Sequence, residues 1–409
     1  MEKLLKLLIQ NKPTKKRLVF TWLEATLMLK GFNQRLANSS LLQWISKKQS
    51  RVAIASSIFA IVAGLFIGFI IMFMFNPINS FRGIFLMLGG WLFRADVLRD
   101  VGRWLFTTGP LLLTGLSVGF AFKTGLFNIG ATGQYTLGLY VAIMIGTYGE
   151  ALGSLQWVVA MIAGMTAGSL VGLLDGFLKA KYNVHEVITS IMLNYIVMYL
   201  VNSLIKNDLN VFDFERSITR TINPQSFLPT LGLRTIFPGS NIDIGILIAL
   251  GVALIIWVVL FKTSFGFELQ ATGTNRFAAK YSGINEMKAI MLSMMIAGAL
   301  AGLGGTLYAL ASGSRDLGTF YEPADILIPT GFEGIAVALL GMSHPIGTIF
   351  SAGYITFIQT GGQFMQGLGI KIEIIEVIIA SILYCSAISL IFKEWINRNH
   401  SKTLKGKGG

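Results

Sequence analysis

Residues 104–149 read WLFTTGPLLLTGLSVGFAFKTGLFNIGATGQYTLGLYVAIMIGTYG, and Lys123 is the single charge among them. A helix needs about 20 predominantly apolar residues to cross a bilayer. The stretch therefore reads as two crossings in succession, Trp104–Phe122 and Thr124–Gly149, turning at Lys123. Its glycines agree with this, because membrane helices use small residues to bring backbones close together.

The rest of the chain repeats the pattern. Further charge-free runs are Val52–Phe81, Ala151–Leu174, Val187–Ile205, Ile244–Phe261, Ala289–Ser314, Gly334–Ile370 and Val377–Phe392. The run from Gly334 is too long for one helix, and Ser343-His344-Pro345 breaks it, since proline disfavours helix in the residue before it. It divides into Ile326–Gly341 and Ile346–Gln366, which makes ten spans. The expected fold class is an all-α integral membrane protein. Composition agrees: 53% of the 409 residues are hydrophobic and 13% charged, which excludes a soluble globular enzyme, a disordered chain and a fibrous repeat. One cysteine and three scattered histidines offer neither an intramolecular disulfide nor a zinc site.

The formal charge of +13 would suggest nucleic acid in a soluble protein, but here it reads as lysine and arginine held on one side of a membrane, with no nucleic-acid partner. With the N-terminus inside, 23 of the 33 lysines and arginines are cytoplasmic, as the positive-inside rule requires. Both termini are then cytoplasmic. The organisation expected is a basic cytoplasmic segment over residues 1–50, a transmembrane domain over 51–392 and a basic cytoplasmic tail over 393–409. The first segment is no secretory signal: the apolar run after it starts too late, is too long and lacks a small-residue cleavage site. Residues Thr14–Lys30 either lie on the inner leaflet or form a solvated tail. Outside, Phe81–Arg103 is expected to hold a short interfacial helix, and residues 206–243 form the longest external loop. Residues 262–288 are the one substantial internal loop between spans.

Several polar residues lie at membrane depth. Gly125-Leu-Phe-Asn-Ile-Gly-Ala-Thr-Gly-Gln134 combines glycines with two amides. Unwound backbone in a membrane is tolerated only against protein or a water-filled cavity. Asn128 and Gln134 either line a polar path or hydrogen-bond neighbouring helices. Thr189, Ser190 and Asn194 form a stripe that favours a cavity over lipid. Glu333 opens an apolar run, where a carboxylate costs about 2.5–3.5 kcal/mol on insertion scales, so it faces protein, water or a half-helix end. Asp175 has Lys179 four residues on, a pairing that accounts for it. Glu186 suits a helix N-terminus.

The internal loop carries Gly266-Phe-Glu-Leu-Gln-Ala-Thr-Gly-Thr-Asn-Arg-Phe-Ala-Ala-Lys-Tyr-Ser-Gly-Ile284. Asn275 can cap a short helix through Arg276, Ala279 and Tyr281, with Gly273 and Gly283 turning the chain at its ends. This is either a docking element, with Arg276 bonding a partner and Ala279 packing closely, or an ordinary surface loop. No phosphate-cradling loop with a following lysine is present, so ATP hydrolysis by this chain is not expected. No catalytic or metal-ligand spacing stands out.

Four motifs, PLLLTGLSVGFAFKTGLFNIGATGQ, VHEVITSIMLNYI, GFELQATGTNRFAAKYSGI and GFEGIAVALLGMSHPIG, resemble the permease family of bacterial ABC importers for ribose-type sugars, nucleosides and branched-chain amino acids. The resemblance runs from Trp104 to Ile391 and is strongest to the nucleoside branch. Two positions depart: His185 stands where asparagine is expected, and Thr132 where glutamate is usual. The resemblance implies two related halves and a pore formed by a pair of permeases, here a heterodimer. It implies a separate cytoplasmic ATPase that uses the ATP, an extracellular substrate-binding lipoprotein, and location in the bacterial plasma membrane. No cofactor is expected in this chain. Asn128, Gln134, Asn194 and Glu333 are the expected path residues, and Gly273, Asn275, Arg276, Ala279, Tyr281 and Gly283 the coupling residues. The competing reading is an ion-coupled secondary transporter of a small polar solute, which would need no ATPase dock.

Overall fold

The structure is a computed structural model that describes residues 48–311, 320–371, 373–382, 384 and 385. Nearly all of the expected N-terminal segment, the whole basic tail and part of the span Val377–Phe392 lie outside these residues. The chain divides into two units, residues 59–391 and the terminal stretches 1–58 with 392–409. Every element from α2 onward belongs to the first.

The elements are helical apart from one short hairpin. In chain order they are α1 (Lys48–Phe75), α2 (Ser80–Met87), α3 (Val97–Lys123), α4 (Ala131–Tyr148), α5 (Gln156–Tyr182), α6 (Glu186–Lys206), α7 (Leu233–Ile236), α8 (Gly245–Lys262), α9 (Ser264–Thr274), α10 (Arg276–Tyr281), α11 (Glu286–Ala309), α12 (Pro329–Leu340) and α13 (Pro345–Gln363). Strands β1 (Phe212–Asp213) and β2 (Ile218–Thr219) pair antiparallel. Among the described residues, five helical stretches are long and apolar enough to cross a membrane: Val97–Lys123, Glu150–Tyr182, Glu186–Lys206, Gly245–Lys262 and Glu286–Ala309. Two shorter apolar stretches are Ile61–Phe75 and Pro329–Leu340.

Three expected spans differ in the structure. The run Val52–Phe81 is two helices, because Pro77 falls in the turn between α1 and α2. The run Thr124–Gly149 becomes helical only at Ala131, and Ile326–Gly341 only at Pro329, which takes the first helical position. Apolarity places a segment in the membrane without dictating that its backbone be helical throughout. The helix expected within Phe81–Arg103 is present as α2, and after it comes a 3-10 turn, Gly90–Phe93.

Helix α3 is central: its most apolar window is 83% buried, against 33% for the windows containing α5 and α8. Thr114, Gly115 and Gly119 of α3 abut Gly334, Val337 and Ala338 of α12 in the same order, so the two helices run parallel. Helix α8 also runs parallel to α3, with Gly102 beside Ser240 and Gly109 beside Gly245 and Ile246. Helices α5 and α11 run antiparallel along a glycine seam. A Cβ on Gly168 would lie 2.4 Å from Gly298 O, and one on Gly172 would lie 2.2 Å from Met294 O. Such backbone proximity is how membrane helices gain dispersion contact where burial from water cannot drive packing.

Candidate functional site

Two helices, α4 and α12, begin inside the protein after non-helical segments, and their first turns abut. A Cβ on Gly331 would lie 2.2 Å from Thr132 Oγ1 and 2.4 Å from Thr132 Cα. The Thr132 hydroxyl is fully buried and has no hydrogen-bond partner among the described residues. Two helix N-termini, each with a partial positive charge, thus meet around an unmatched hydroxyl.

The segment before α4 leaves α3 at Gly125, whose φ of +74° is the left-handed region that glycine tolerates. Buried amides then hold it. Asn128 Nδ2 donates to Ser117 Oγ at 2.9 Å and to Gln134 Oε1 at 2.8 Å, and Gln134 Nε2 donates back to Asn128 Oδ1 at 3.1 Å. Ser117 Oγ in turn donates to Ala297 O at 2.6 Å. Asn194, on α6, accepts the Gly133 N–H at 2.8 Å and donates to Ile129 O at 3.0 Å. These are the backbone groups that a missing helical turn leaves over. The sequence left two readings of Asn128 and Gln134 open; in the structure both bond to each other, and Asn128 also bonds to Ser117, while Asn194 bonds separately to the backbone of Ile129 and Gly133.

The segment before α12 is tied differently. Tyr321 OH donates to Asn202 Oδ1 at 2.5 Å, Asn202 Nδ2 donates to Ala324 O at 2.7 Å, and the Thr219 N–H donates to Tyr321 O at 2.9 Å. Within α12, Glu333 is half-buried and accepts from Gln359 Nε2 of α13 at 2.8 Å. Gln359 was not singled out in the sequence. Its only signal there is an amide in an apolar run that faces the Glu333 helix.

Residues 262–288 fold as α9 and α10. Asn275 caps α10 by accepting the Ala278 N–H at 3.0 Å, and Gly283 takes φ +86°, both as local sequence chemistry predicts. Three details differ from expectation. Gly273 makes no turn: it lies inside α9, and a Cβ on it would lie 2.3 Å from Thr124 C and 2.5 Å from Gly125 N. Arg276 is engaged within the chain, its Nε donating to Glu286 Oε2 at 2.7 Å and Nη1 to Asn183 Oδ1 at 3.4 Å. Ala279 is 4% exposed and faces the protein's own core. What α10 presents outward is Phe277 and Tyr281, 83% and 96% exposed. Phe277 is a functional candidate the sequence reading missed, and its spacing of four from Tyr281 was the available signal.

The carboxylates at the nearby helix ends also find other partners than expected. Lys179 Nζ pairs with Glu186 Oε2 at 2.7 Å, leaving Asp175 to accept from the Thr189 and Ser190 hydroxyls. The i,i+4 pairing of Asp175 with Lys179 is thus replaced by a bridge from α5 to α6. At the far side of the molecule, Asp243 precedes α8 and accepts the Gly245 N–H at 2.7 Å. Burial pushes its carboxyl up to about 7, against the smaller opposing effects of that N–H and of Arg234.

Comparison with known proteins bears on this geometry. A family model described as branched-chain amino acid transport system / permease component matches residues 101–387. Nucleoside ABC transporter permease protein NupB of Lactococcus lactis is 36% identical over 342 residues, covering 82% of this chain and 90% of that protein. Guanosine ABC transporter permease protein NupP of Bacillus subtilis is 35% identical over 286 residues, covering 69% and 79%. Glucose ABC transporter permease protein TsgB13 of Haloferax volcanii is 28% identical over 300 residues, covering 70% and 75%. No solved structure matches. The match takes in both interrupted helices and the α9–α10 loop, and the chain belongs to the branched-chain amino acid transport system permease family, a multi-pass permease of the plasma membrane.

Proposed function

We propose that this chain is the permease subunit of an ABC importer for nucleosides and provides the translocation path, without hydrolysing ATP itself. The observation that carries the substrate class is the 36% identity, over 90% of its length, to a protein named as a nucleoside permease. The test is uptake of labelled guanosine, uridine, adenosine and ribose by cells with and without the gene. Loss of nucleoside uptake alone is the expected result. Loss of ribose uptake alone would move the reading to sugars, and unchanged uptake of all four would overturn it.

The path is proposed to pass the meeting point of α4 and α12. Thr132 is the polar group at that point, Glu333 follows Gly331 by two residues on α12, and Asn128, Gln134 and Asn194 shape the path by holding the interruption in place. Nucleosides are neutral and rich in hydroxyls, so hydroxyl and amide groups match them without desolvating a full charge. Two interrupted helices that meet at their N-termini also support two related halves. The ten-span topology with both termini inside draws support from the parallel run of α3, α8 and α12 and the antiparallel run of α5 and α11, which alternation requires. Gln225→Cys should label from outside and Thr274→Cys only after permeabilisation, since both positions are exposed and the sole native cysteine, Cys385, is buried.

The partners in this reading are a cytoplasmic ATPase that uses the ATP, a second permease subunit forming a heterodimer, and an extracellular substrate-binding lipoprotein. No cofactor is assigned to this chain. The α9–α10 loop is the ATPase dock, through the exposed Phe277 and Tyr281.

A further inference from the structure

At Gly273 that loop touches the interrupted part of the membrane core backbone to backbone. A Cβ on Gly125 would lie 2.3 Å from Gly273 Cα, and a Cβ on Gly273 would lie 2.3 Å from Thr124 C. No side chain separates the two. Side chains at a contact absorb small displacements by changing rotamer, and two bare backbones cannot. The Arg276–Glu286 pair that also ties the loop down is part-exposed, and solvent-screened pairs of that kind hold weakly.

The chain beyond Gly125 is built to carry a displacement onward. The segment to Gly133 is cross-tied by the reciprocal Asn128–Gln134 amide pair and clamped at Ile129 and Gly133 by Asn194. Its far end, Thr132, lies against Gly331, again with no room for a Cβ. Close contacts therefore run without a break from Gly273 through Gly125 and the amide-tied segment to Gly331, two residues before Glu333.

We infer that Gly273 and Gly125 form the joint through which movement of the α9–α10 loop enters the membrane core, and that residues 125–133 transmit it to α12. Gly273 is a positioning residue: it touches no solute and acts through the segment it abuts. This rests on the reading of the loop as the ATPase dock.

The test uses the complete importer in proteoliposomes: both permeases, the ATPase and the binding protein. Gly273→Ala should leave the ATPase bound, because Phe277 and Tyr281 are untouched, while uptake per ATP falls by about tenfold or more. Gly251→Ala is the control, because a Cβ there meets nothing within 4 Å. A second readout reports on the segment itself. Thiol labelling of Ile129→Cys should change in rate on adding ATP in the otherwise native importer and be indifferent to ATP when Gly273→Ala is also present. Normal uptake per ATP in Gly273→Ala overturns the inference, and so does ATP-indifferent labelling of Ile129→Cys in an importer that transports. If Gly273→Ala does not accumulate, ATP-indifferent labelling of Ile129→Cys in an importer that transports still overturns the inference, and an ATP-dependent rate that is lost in Gly125→Ala supports it. The dock is tested separately by the double replacement Phe277→Ala, Tyr281→Ala, which should release the ATPase. If the ATPase stays bound, the dock reading fails. If it is released but Gly273→Ala couples normally, only the joint fails.

Discussion

Before α4, Asn128, Gln134 and Asn194 are fully buried and bonded to one another or to the backbone they replace, and residues 124–134 contain no titratable side chain. Before and within α12, the ties come from Asn202 and Thr219 at one end, while Glu333 remains half-buried with a bond from Gln359, and Thr132 of α4, where it abuts Gly331, is unmatched among the described residues. The same device, a helix that begins inside the protein, thus serves two ends. Where the buried amides are satisfied within the chain, the interruption is held as a rigid frame. Where capacity for hydrogen bonds is left over, a passing solute has something to bind.

The largest effect should come from breaking the frame. Asn194→Leu orphans the Gly133 N–H and the Ile129 carbonyl, and each unsatisfied buried group costs about 1–3 kcal/mol. Its membrane level and detergent Tm should both drop sharply. Normal accumulation with only transport impaired would show that Asn194 faces a solute and that the two interruptions are alike. The next effect is electrostatic. The first segment cannot respond to pH, but Asp243, in the loop that also anchors the second, can. Its folded carboxyl, at about 7, lies above its unfolded value of 3.8, so its contribution is greatest below the unfolded value and is lost as pH rises through that window. The full loss is about 4 kcal/mol. Asp243→Asn keeps an oxygen for the Gly245 N–H, so its Tm should be flat between about pH 5 and 8 where the native protein declines. A parallel decline in both would remove Asp243 as the cause. The smallest effect on stability, and the one that concerns the solute, is Glu333→Gln. An amide oxygen still accepts from Gln359, so the level and Tm should hold while uptake falls about tenfold, or 1.4 kcal/mol. Unchanged uptake would place Glu333 among the braces with Asn128.

How much of this was legible in the letters depends on the range of the interaction. The resemblance to the permease family runs from Trp104 to Ile391, and the family match covers 101–387. The cap at Asn275 and the left-handed turn at Gly283 arise from residues within a few positions and were readable. The starts of α4 and α12 were not, since an apolar run looks the same whether its backbone is wound or extended. Orientation was the other blind spot. Arg276 and Ala279 turn toward the protein because Glu286 and the core lie there, which no spacing within the loop encodes. Lys179 had two acidic neighbours in sequence, Asp175 and Glu186, and the turn between α5 and α6 brings the more distant one to it. The approach of Gly125 to Gly273 joins residues far apart in the chain, and neither has a side chain to advertise it.

The seam between α5 and α11 bears on inheritance. Gly164, Gly168, Gly172, Gly298 and Gly302 each lie within 3 Å of backbone or side chain where a Cβ would stand. Every amino acid other than glycine carries that carbon, so every missense change in these codons adds an atom where none fits. Elsewhere in a membrane helix a change from leucine to isoleucine or methionine passes almost unnoticed. Along this seam the chain has no such neighbours in sequence space. Variation among its descendants should therefore collect on the lipid-facing sides of the two helices and leave a fixed glycine line between them.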